Sequence, residues 1–313
     1  MNSVTQPDVL VIGEALMDIV DTGNSATEHV GGSPANVALG LGRRGVRAAL
    51  LTQLGSDPRG AHIAEHLEAS GVEVLPSSFS ALRTSTAVAA IGADGQAEYT
   101  FDVHWAELEM PVELHPRVLH TGSIAAFHEP GASSLRAILK RTGASEITFD
   151  PNIRPSLLGE HSDSVRVFED TVKLATVVKM SDQDAAWLYP GLQLDEIVAR
   201  VLSFGPRIAA ITLGAEGAFI ATAETRQRIP GVSVKAVDTI GAGDTFMASL
   251  IHSVLQHGSL GLSEAMVQQV GSMAVAAAAI TVSRAGANLP WAAELPVHPA
   301  APSGSMPSHD SAA

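Results

Sequence analysis

The sequence Asp238-Thr239-Ile240-Gly241-Ala242-Gly243-Asp244-Thr245-Phe246 sets three small residues ahead of an aspartate and then opens an apolar stripe. Phe246, Leu250, Ile251, Val254 and Leu255 share one helical face, and Gly258 is placed to stop it. The pattern predicts a helix whose N-terminus is built from Gly241, Ala242 and Gly243. The unpaired amides and dipole of such an end favour an anion, and small residues let a phosphate approach the backbone. Asp244 falls in the first turn, beside that anion site. There its carboxylate can accept the proton of a substrate hydroxyl while a phosphoryl group rests over the amides. The plainer alternative is that Asp244 only favours the helix start electrostatically.

Far upstream, Gly31-Gly32-Ser33-Pro34-Ala35-Asn36-Val37-Ala38 is a second glycine-led helix start. Ser33 is a candidate N-cap and Pro34 suits the first helical position. Asn36 sits one turn in, able to bond a polyol. A plain glycine turn and helix cap would have the same sequence pattern.

Short apolar runs at 9–12, 48–51, 147–149, 177–180 and 208–213 read as buried strands. Segments 34–41, 62–67 and 165–174 carry apolar residues at three- and four-residue spacing, the helical pattern. Their alternation predicts an α/β fold with a mostly parallel central sheet and helices on both faces. Residues 84–105 differ: 86–91 and 98–103 read as a hairpin turning at Ala93-Asp94-Gly95-Gln96. With 18–30 they are expected to form a small β-sheet lid that keeps a phosphoryl donor from water; an ordinary edge hairpin is the alternative. The expected organisation is one domain over 1–297 and a disordered Pro-, Ser- and Ala-rich tail over 298–313.

Composition narrows the function. The 313 residues are 46% hydrophobic, enough for a large core. A net charge of −14 repels polyanions and argues against a nucleic-acid partner. The absence of cysteine excludes disulfides, thiolate metal sites and a cysteine nucleophile. The first apolar run, Val9-Leu10-Val11-Ile12, soon meets Glu14 and Asp18, unlike a signal peptide. The longest apolar stretch, 273–282, is too short to span a bilayer, so a cytoplasmic protein without a membrane partner is expected.

The glycine pair before Asn36, followed late in the chain by Asp-Thr-x-Gly-Ala-Gly-Asp, resembles the two signatures of the ribokinase-like (pfkB) carbohydrate kinase family in order and separation. Thr212-Leu213-Gly214-Ala215-Glu216-Gly217 resembles the family's strand-to-turn element under ATP, and Ser283-Arg284-Ala285-Gly286-Ala287 its C-terminal loop near the nucleotide. The resemblance spans residues 8–295 and implies a ribokinase-like three-layer fold and an ATP-dependent sugar kinase. It makes Asp244 the base, and the amides of Gly241, Ala242 and Gly243 the anion hole. It assigns sugar hydroxyls to Asp18, Gly31, Gly32 and Asn36, and the nucleotide to Thr212, Gly214, Ala215, Gly217, Gly241 and Gly243. Backbone carbonyls of Asp238 and Ile240, with Gly286, would meet K⁺, while Mg²⁺ would arrive mainly with ATP. Where the family often has Asn-x-x-Glu, this chain has Ser181-Asp182-Gln183-Asp184; Ser181 and Asp184 would take that nucleotide-side role with a shorter carboxylate.

Phe149-Asp150-Pro151-Asn152-Ile153-Arg154-Pro155 is similar to an element of bacterial fructokinases and 2-keto-3-deoxygluconate kinases. Arg154 could bond a sugar oxygen, a keto-acid carboxylate or an ATP phosphate, or fix its loop by pairing with Asp150. Tyr99 and Phe101 in the lid could pack on a sugar face or merely fill the strand. The resemblance favours fructokinase, with ribokinase, 2-keto-3-deoxygluconate kinase or nucleoside kinase as alternatives. A catalytically silent sugar or nucleotide sensor is the alternative from another class, disfavoured because a sensor needs no base. Monomer and lid-mediated homodimer are both compatible.

Three other patterns carry less. Gly40-Leu41-Gly42-Arg43-Arg44-Gly45 ends a helix, where a dinucleotide fingerprint would open one. His62-Ile63-Ala64-Glu65-His66 matches a metalloprotease string but fits a solvated helix face. His120 and His128 are expected to be partly exposed structural histidines near the sugar site.

Overall fold

The computed structural model describes residues 6–23, 25–91 and 97–296, the side chains of residues 91, 97 and 99 excepted. The expected hairpin turn at 93–96 and the tail at 298–313 lie outside the described residues.

In chain order the first half comprises β1 (Val9–Ile12), β2 (Leu16–Asp21), β3 (Ala26–Gly31), α1 (Ser33–Arg43), β4 (Ala48–Leu51), α2 (Pro58–Glu68), β5 (Val72–Val74), β6 (Thr86–Ile91), β7 (Ala97–Asp102), β8 (Val118–Gly122) and α3 (Gly131–Arg141). The second half comprises β9 (Glu146–Asp150), α4 (His161–Val172), β10 (Val177–Ser181), α5 (Asp182–Leu188), α6 (Leu194–Ser203), β11 (Ile208–Thr212), β12 (Gly217–Ala221), β13 (Arg226–Pro230), α7 (Ala242–His257) and α8 (Glu264–Val282).

Nine strands form the main sheet in the order β13-β12-β11-β10-β9-β8-β1-β4-β5. From β5 through β11 every pairing is parallel; β12 and β13 add antiparallel strands at one edge. The parallel strands are apolar on both faces because helices cover both. One face carries α1, α2, α7 and α8, and the other α3, α4, α5 and α6. The mixed α/β architecture expected from the alternating pattern, a mostly parallel sheet with helices on both faces, is therefore present. Parallel strands put their C-terminal ends on one edge, where α/β folds build their sites. Asp150, Ser181 and Thr212 close β9, β10 and β11 there.

The second sheet has the order β3-β2-β6-β7, with β6 and β7 paired from Thr86↔Asp102 to Ile91↔Ala97. This is the expected lid sheet, built from both predicted segments. Phe101 is half-buried against the cluster of Leu16, Ala87 and Ile124, at the junction of lid and body.

Three expectations are corrected. α7 is no simple stripe: residues 244–251 are buried without interruption, because α7 lies between the sheet, α1 and α8. The apolar stretch at 273–282 belongs to a 19-residue helix, α8, capped by Ser263, since Gly271 and Ser272 interrupt the apolar run without ending the helix. By length and composition α8 could cross a membrane, but it packs on α7, β12 and β13, with Gly271 against Ile220 and Ile229. His120 is fully buried, not partly exposed, and shares a hydrogen bond with Thr148 at 2.9 Å. Burial holds its imidazole neutral, down to about 3.

Gly40–Gly45 does end α1 ahead of β4. His62 and Glu65 are exposed on α2, with His66 half-buried beside them, while Ile63 and Leu67 face the core.

Candidate active site

The two glycine-led helix starts meet. Gly32, with φ 101°, is the N-cap of α1. Ser33 is thus the first helical residue, and not the cap that its sequence suggested. Its hydroxyl turns instead to α7 and donates to Asp244 Oδ1 at 2.6 Å. Asn36 Nδ2 donates to Asp244 Oδ2 at 2.8 Å. All three side chains are buried. Asp244 is the acidic residue of the first turn of α7, so it also favours the helix start electrostatically, while its two side-chain bonds come from α1. Burial raises its pKa above the ordinary carboxylate value, while bonds from Ser33 and Asn36 and the charges of Lys179 and Arg154 oppose the rise. Each oxygen keeps acceptor capacity for a further proton donor.

Beside this carboxylate lie the small residues of the α7 start. Gly241 is left-handed, with φ 77°, and a side chain there would meet Ala287. The Ala242 amide donates to Thr239 O at 3.2 Å. The amides of Gly241 and Gly243 have no acceptor among the described residues. The expected three-amide anion site is therefore open at two of its amides and partly engaged at the third. Asp238 draws two loops together, accepting from the amides of Ile240 at 3.0 Å and Gly286 at 2.9 Å. Those amide bonds hold its carboxyl below the usual range. Ser181 and Thr212 are register partners at the ends of β10 and β11. A tight turn over Gly214–Glu216, which includes Ala215, leads into Gly217, with φ 98°.

On the lid side, Asp18 of β2 stands opposite His29 of β3, and a side chain at Gly31 would run into its carboxylate. Burial pushes the Asp18 pKa up to about 6, against the charges of His29 and Arg154. Tyr99 lies in β7 opposite Ala89, and its side chain is outside the described residues. Arg154 does not pair with Asp150. Its guanidinium folds back to Asn152 Oδ1 at 2.8 Å and to Ile153 O at 3.1 Å, and the residue is exposed. With His128, Phe127 and Leu157 it lines a small cavity. Two residues of that cavity, Ser123 (φ 54°) and Asn152 (φ 38°), hold left-handed backbone without being glycine, a strain that concentrates at functional sites.

Asp184 is more occupied than its resemblance implied. With Ser181 it forms a capping box: Asp184 N donates to Ser181 Oγ at 3.0 Å, and Ser181 N donates to Asp184 Oδ2 at 2.9 Å. Its other oxygen accepts the Ile153 amide at 2.8 Å, which ties down the Arg154 loop.

Sequence reasoning missed Ser33 as a partner of Asp244, and it missed Glu14 and Lys179. Glu14 follows β1 and accepts the Ala125 amide at 3.0 Å; burial lifts its pKa to about 7. Lys179 is almost wholly buried in β10 and pairs with Asp150 Oδ2 at 2.8 Å. The signal for Lys179 was in the sequence: a lysine inside Val-Val-Lys-Met needs a partner if that run is a buried strand.

Fold and site together define a ribokinase-like sugar kinase. The chain belongs to the pfkB family: the family model described as pfkB family carbohydrate kinase matches residues 6–294. It is 33% identical over 261 residues to a fructokinase of Rhizobium leguminosarum bv. trifolii, covering 79% of each chain. Among solved structures it is similar to a Vibrio cholerae O395 fructokinase double mutant in its fructose-, ADP- and potassium-bound form. That likeness has a TM-score of 0.76 and 28% identity, over 91% of this chain and 95% of the other. A Salmonella enterica aminoimidazole riboside kinase, complexed with aminoimidazole riboside and an ATP analogue, gives a TM-score of 0.75 and 25% identity, over 89% and 94%.

Proposed function

We propose that this chain is a fructokinase that transfers the γ-phosphoryl group of ATP to D-fructose, giving ADP and D-fructose 6-phosphate. The observation that carries the reading is the double hydrogen bond that fixes Asp244 from Ser33 and Asn36, at the mouth of an open pair of amides. A carboxylate with a raised pKa, oriented through both oxygens, suits a general base near neutral pH. The sugar hydroxyl oxygen bonds to the γ-phosphorus as its proton passes to Asp244. The bond from phosphorus to the ADP oxygen breaks, and ADP leaves with the electron pair. The Gly241 and Gly243 amides, with that of Ala242 at the edge, stabilise the charge on the transferred group.

Asp18, Gly31, Gly32 and Asn36 bind the sugar in this reading, with Arg154, Tyr99 and Phe101 around it. Thr212, Gly214, Ala215 and Gly217 carry the nucleotide, beside Ser181 and Asp184. Mg²⁺ would be supplied with ATP and would offset the phosphate charge there. Both Asp184 oxygens already accept backbone amides, so Asp184 does not fit the part of a free metal ligand. Asp238, Ile240 and Gly286 suit a K⁺ site, because the Asp238 bonds bring the two loops together. We assign the activity to a single kinase unit over 1–297, acting in the cytoplasm as a monomer or as a dimer joined through the lid edge.

The fructokinase relatives support the choice of sugar. ADP release with fructose, ribose, 2-keto-3-deoxygluconate and a set of nucleosides tests it. Fructose is expected to give the highest kcat/KM. A tenfold higher value for any other acceptor would overturn the choice, and 2-keto-3-deoxygluconate is the competitor that the exposed Arg154 would favour.

A further inference from the structure

Lys179 is a charged residue where the fold calls for an apolar one. Its strand neighbours Val177, Val178 and Met180 are buried, and its own side chain is 5% exposed. Its ammonium meets Asp150 Oδ2 at 2.8 Å, across adjacent parallel strands. The other Asp150 oxygen, Oδ1, is buried without a hydrogen-bond partner among the described residues. On its far side Lys179 reaches the α7 start: a Cβ at Gly243 would fall 2.9 Å from Nζ. A side chain at position 243 would press on the ammonium, and the end of Lys179 would have to shift to admit it.

Stability does not account for this pair. Removing two charges from water costs more than a well-packed apolar pair would, and such replacements are often neutral or stabilising. The surroundings suggest another role. Lys179 is the buried cation among three carboxylates, Asp150, Asp184 and Asp244, all of which act on it, while the exposed Arg154 acts on Asp244 from the loop after β9. Without it, the amides of Gly241 and Gly243 would have to receive a phosphoryl group next to a cluster of negative charge offset only by the exposed Arg154.

We propose that Lys179, held in place by Asp150, is the fixed cation of the transfer site, set behind Gly243 to balance charge on the phosphoryl group as it moves. This rests on the kinase reading above. During transfer the sugar oxygen–phosphorus bond forms, the phosphorus–ADP oxygen bond breaks with its electron pair leaving on ADP, and the proton goes to Asp244. Lys179 keeps its proton throughout and Asp150 its charge. Burial opposes the Lys179 charge, but the three carboxylates lift its pKa above the ordinary lysine value. Burial lifts Asp150 only to about 6, so it too is ionised at neutral pH.

Lys179→Met, Lys179→Arg and the double variant Asp150→Asn/Lys179→Met test this, each assayed for kcat, KM, Tm and the pH profile of kcat. Lys179→Met is expected to lower kcat on the order of 100-fold with the sugar KM within a few-fold of the parent. Its acid limb should move to higher pH, since a cation favouring the Asp244 carboxylate has gone. The groups that then face Asp244 are Ser33 and Asn36 from α1, Asp150 from β9 and Arg154 from the loop after β9, with Asp184 of α5 acting on Asp150. His120 on β8 stays neutral. Lys179→Arg should recover part of kcat. If Lys179→Met folds poorly because Asp150 is left unpaired, the double variant carries the test: Tm restored, kcat still low. Parental kcat and an unshifted acid limb in the double variant would show a structural pair only and overturn the proposal. A parental chain that phosphorylates no acceptor in the panel would instead count against the kinase reading itself.

Discussion

Asn36 and Asp244 stand 208 positions apart in the chain, yet the Asn36 amide donates to Asp244 Oδ2 at 2.8 Å. The bond joins the first turn of α1 to the first turn of α7. It makes one site of two glycine-led helix starts and leaves the carboxylate oriented by groups outside its own helix.

Removing that orientation should show in the rate. Hydrogen bonds to charged groups contribute about 1.5–3 kcal/mol, so Asn36→Ala is expected to lower kcat/KM roughly 10- to 100-fold. Ser33→Ala removes the other donor and should act in the same direction. Both variants should shift the acid limb of the rate profile upward, because each lost bond favoured the ionised form of Asp244. Steady-state kinetics across pH checks this; parental kcat/KM in Asn36→Ala would contradict it.

Rate and stability should run in opposite directions with pH. Asp244 and Asp18 both have folded-state pKa values raised by burial, Asp18 to about 6. Turnover that needs them ionised rises with pH through those values. A carboxylate raised on folding adds its stability fully below its unfolded pKa and loses it as pH rises through the folded one. Relative to the parental chain, Asp18→Asn should therefore gain in Tm between pH about 4 and about 7. A Tm difference that stays flat over this range would show that Asp18 is not perturbed in the fold.

Much of the fold was legible in local sequence. β1 and β4 were read to the residue, because a buried parallel strand is a short apolar run with clear ends. The lid sheet followed from alternation around 84–105 and a second segment near Asp18. The site was legible as two motifs but not as one constellation. No local rule says that Ser33 leaves its cap to meet a carboxylate 211 positions away. The alternative that Arg154 pairs with Asp150 rested on nearness in sequence, whereas the sheet register gives Asp150 to Lys179 on the next strand. Ser181 and Asp184 carried a capping-box pattern that went unread beside their family resemblance.

Gly32 is set where no other residue fits. Its φ of 101° is left-handed, and a Cβ would fall 2.5 Å from Glu14 O. Gly32→Ala should destabilise the fold by about 1–3 kcal/mol or displace the α1 start. Urea unfolding measures the first and loss of turnover the second; an unchanged unfolding midpoint with full activity would contradict the geometry.

Asp184→Ala removes a helix cap and leaves the Ile153 amide without its acceptor. A lost cap costs about 0.5–2 kcal/mol, so Tm should fall modestly. Loosening the loop that carries Arg154 should raise the sugar KM more than it lowers kcat. The reverse pattern, an intact KM with a collapsed kcat, would assign Asp184 to the phosphoryl group and not to the loop.

The most direct test of the account is the turnover of Asp244→Asn with ATP and fructose, read by ADP release on protein whose circular dichroism matches the parent. Loss of a general base is expected to lower kcat by about 10²- to 10⁴-fold, with sugar binding retained. A folded Asp244→Asn protein that phosphorylates fructose at the parental rate would contradict the assignment of Asp244 as the base.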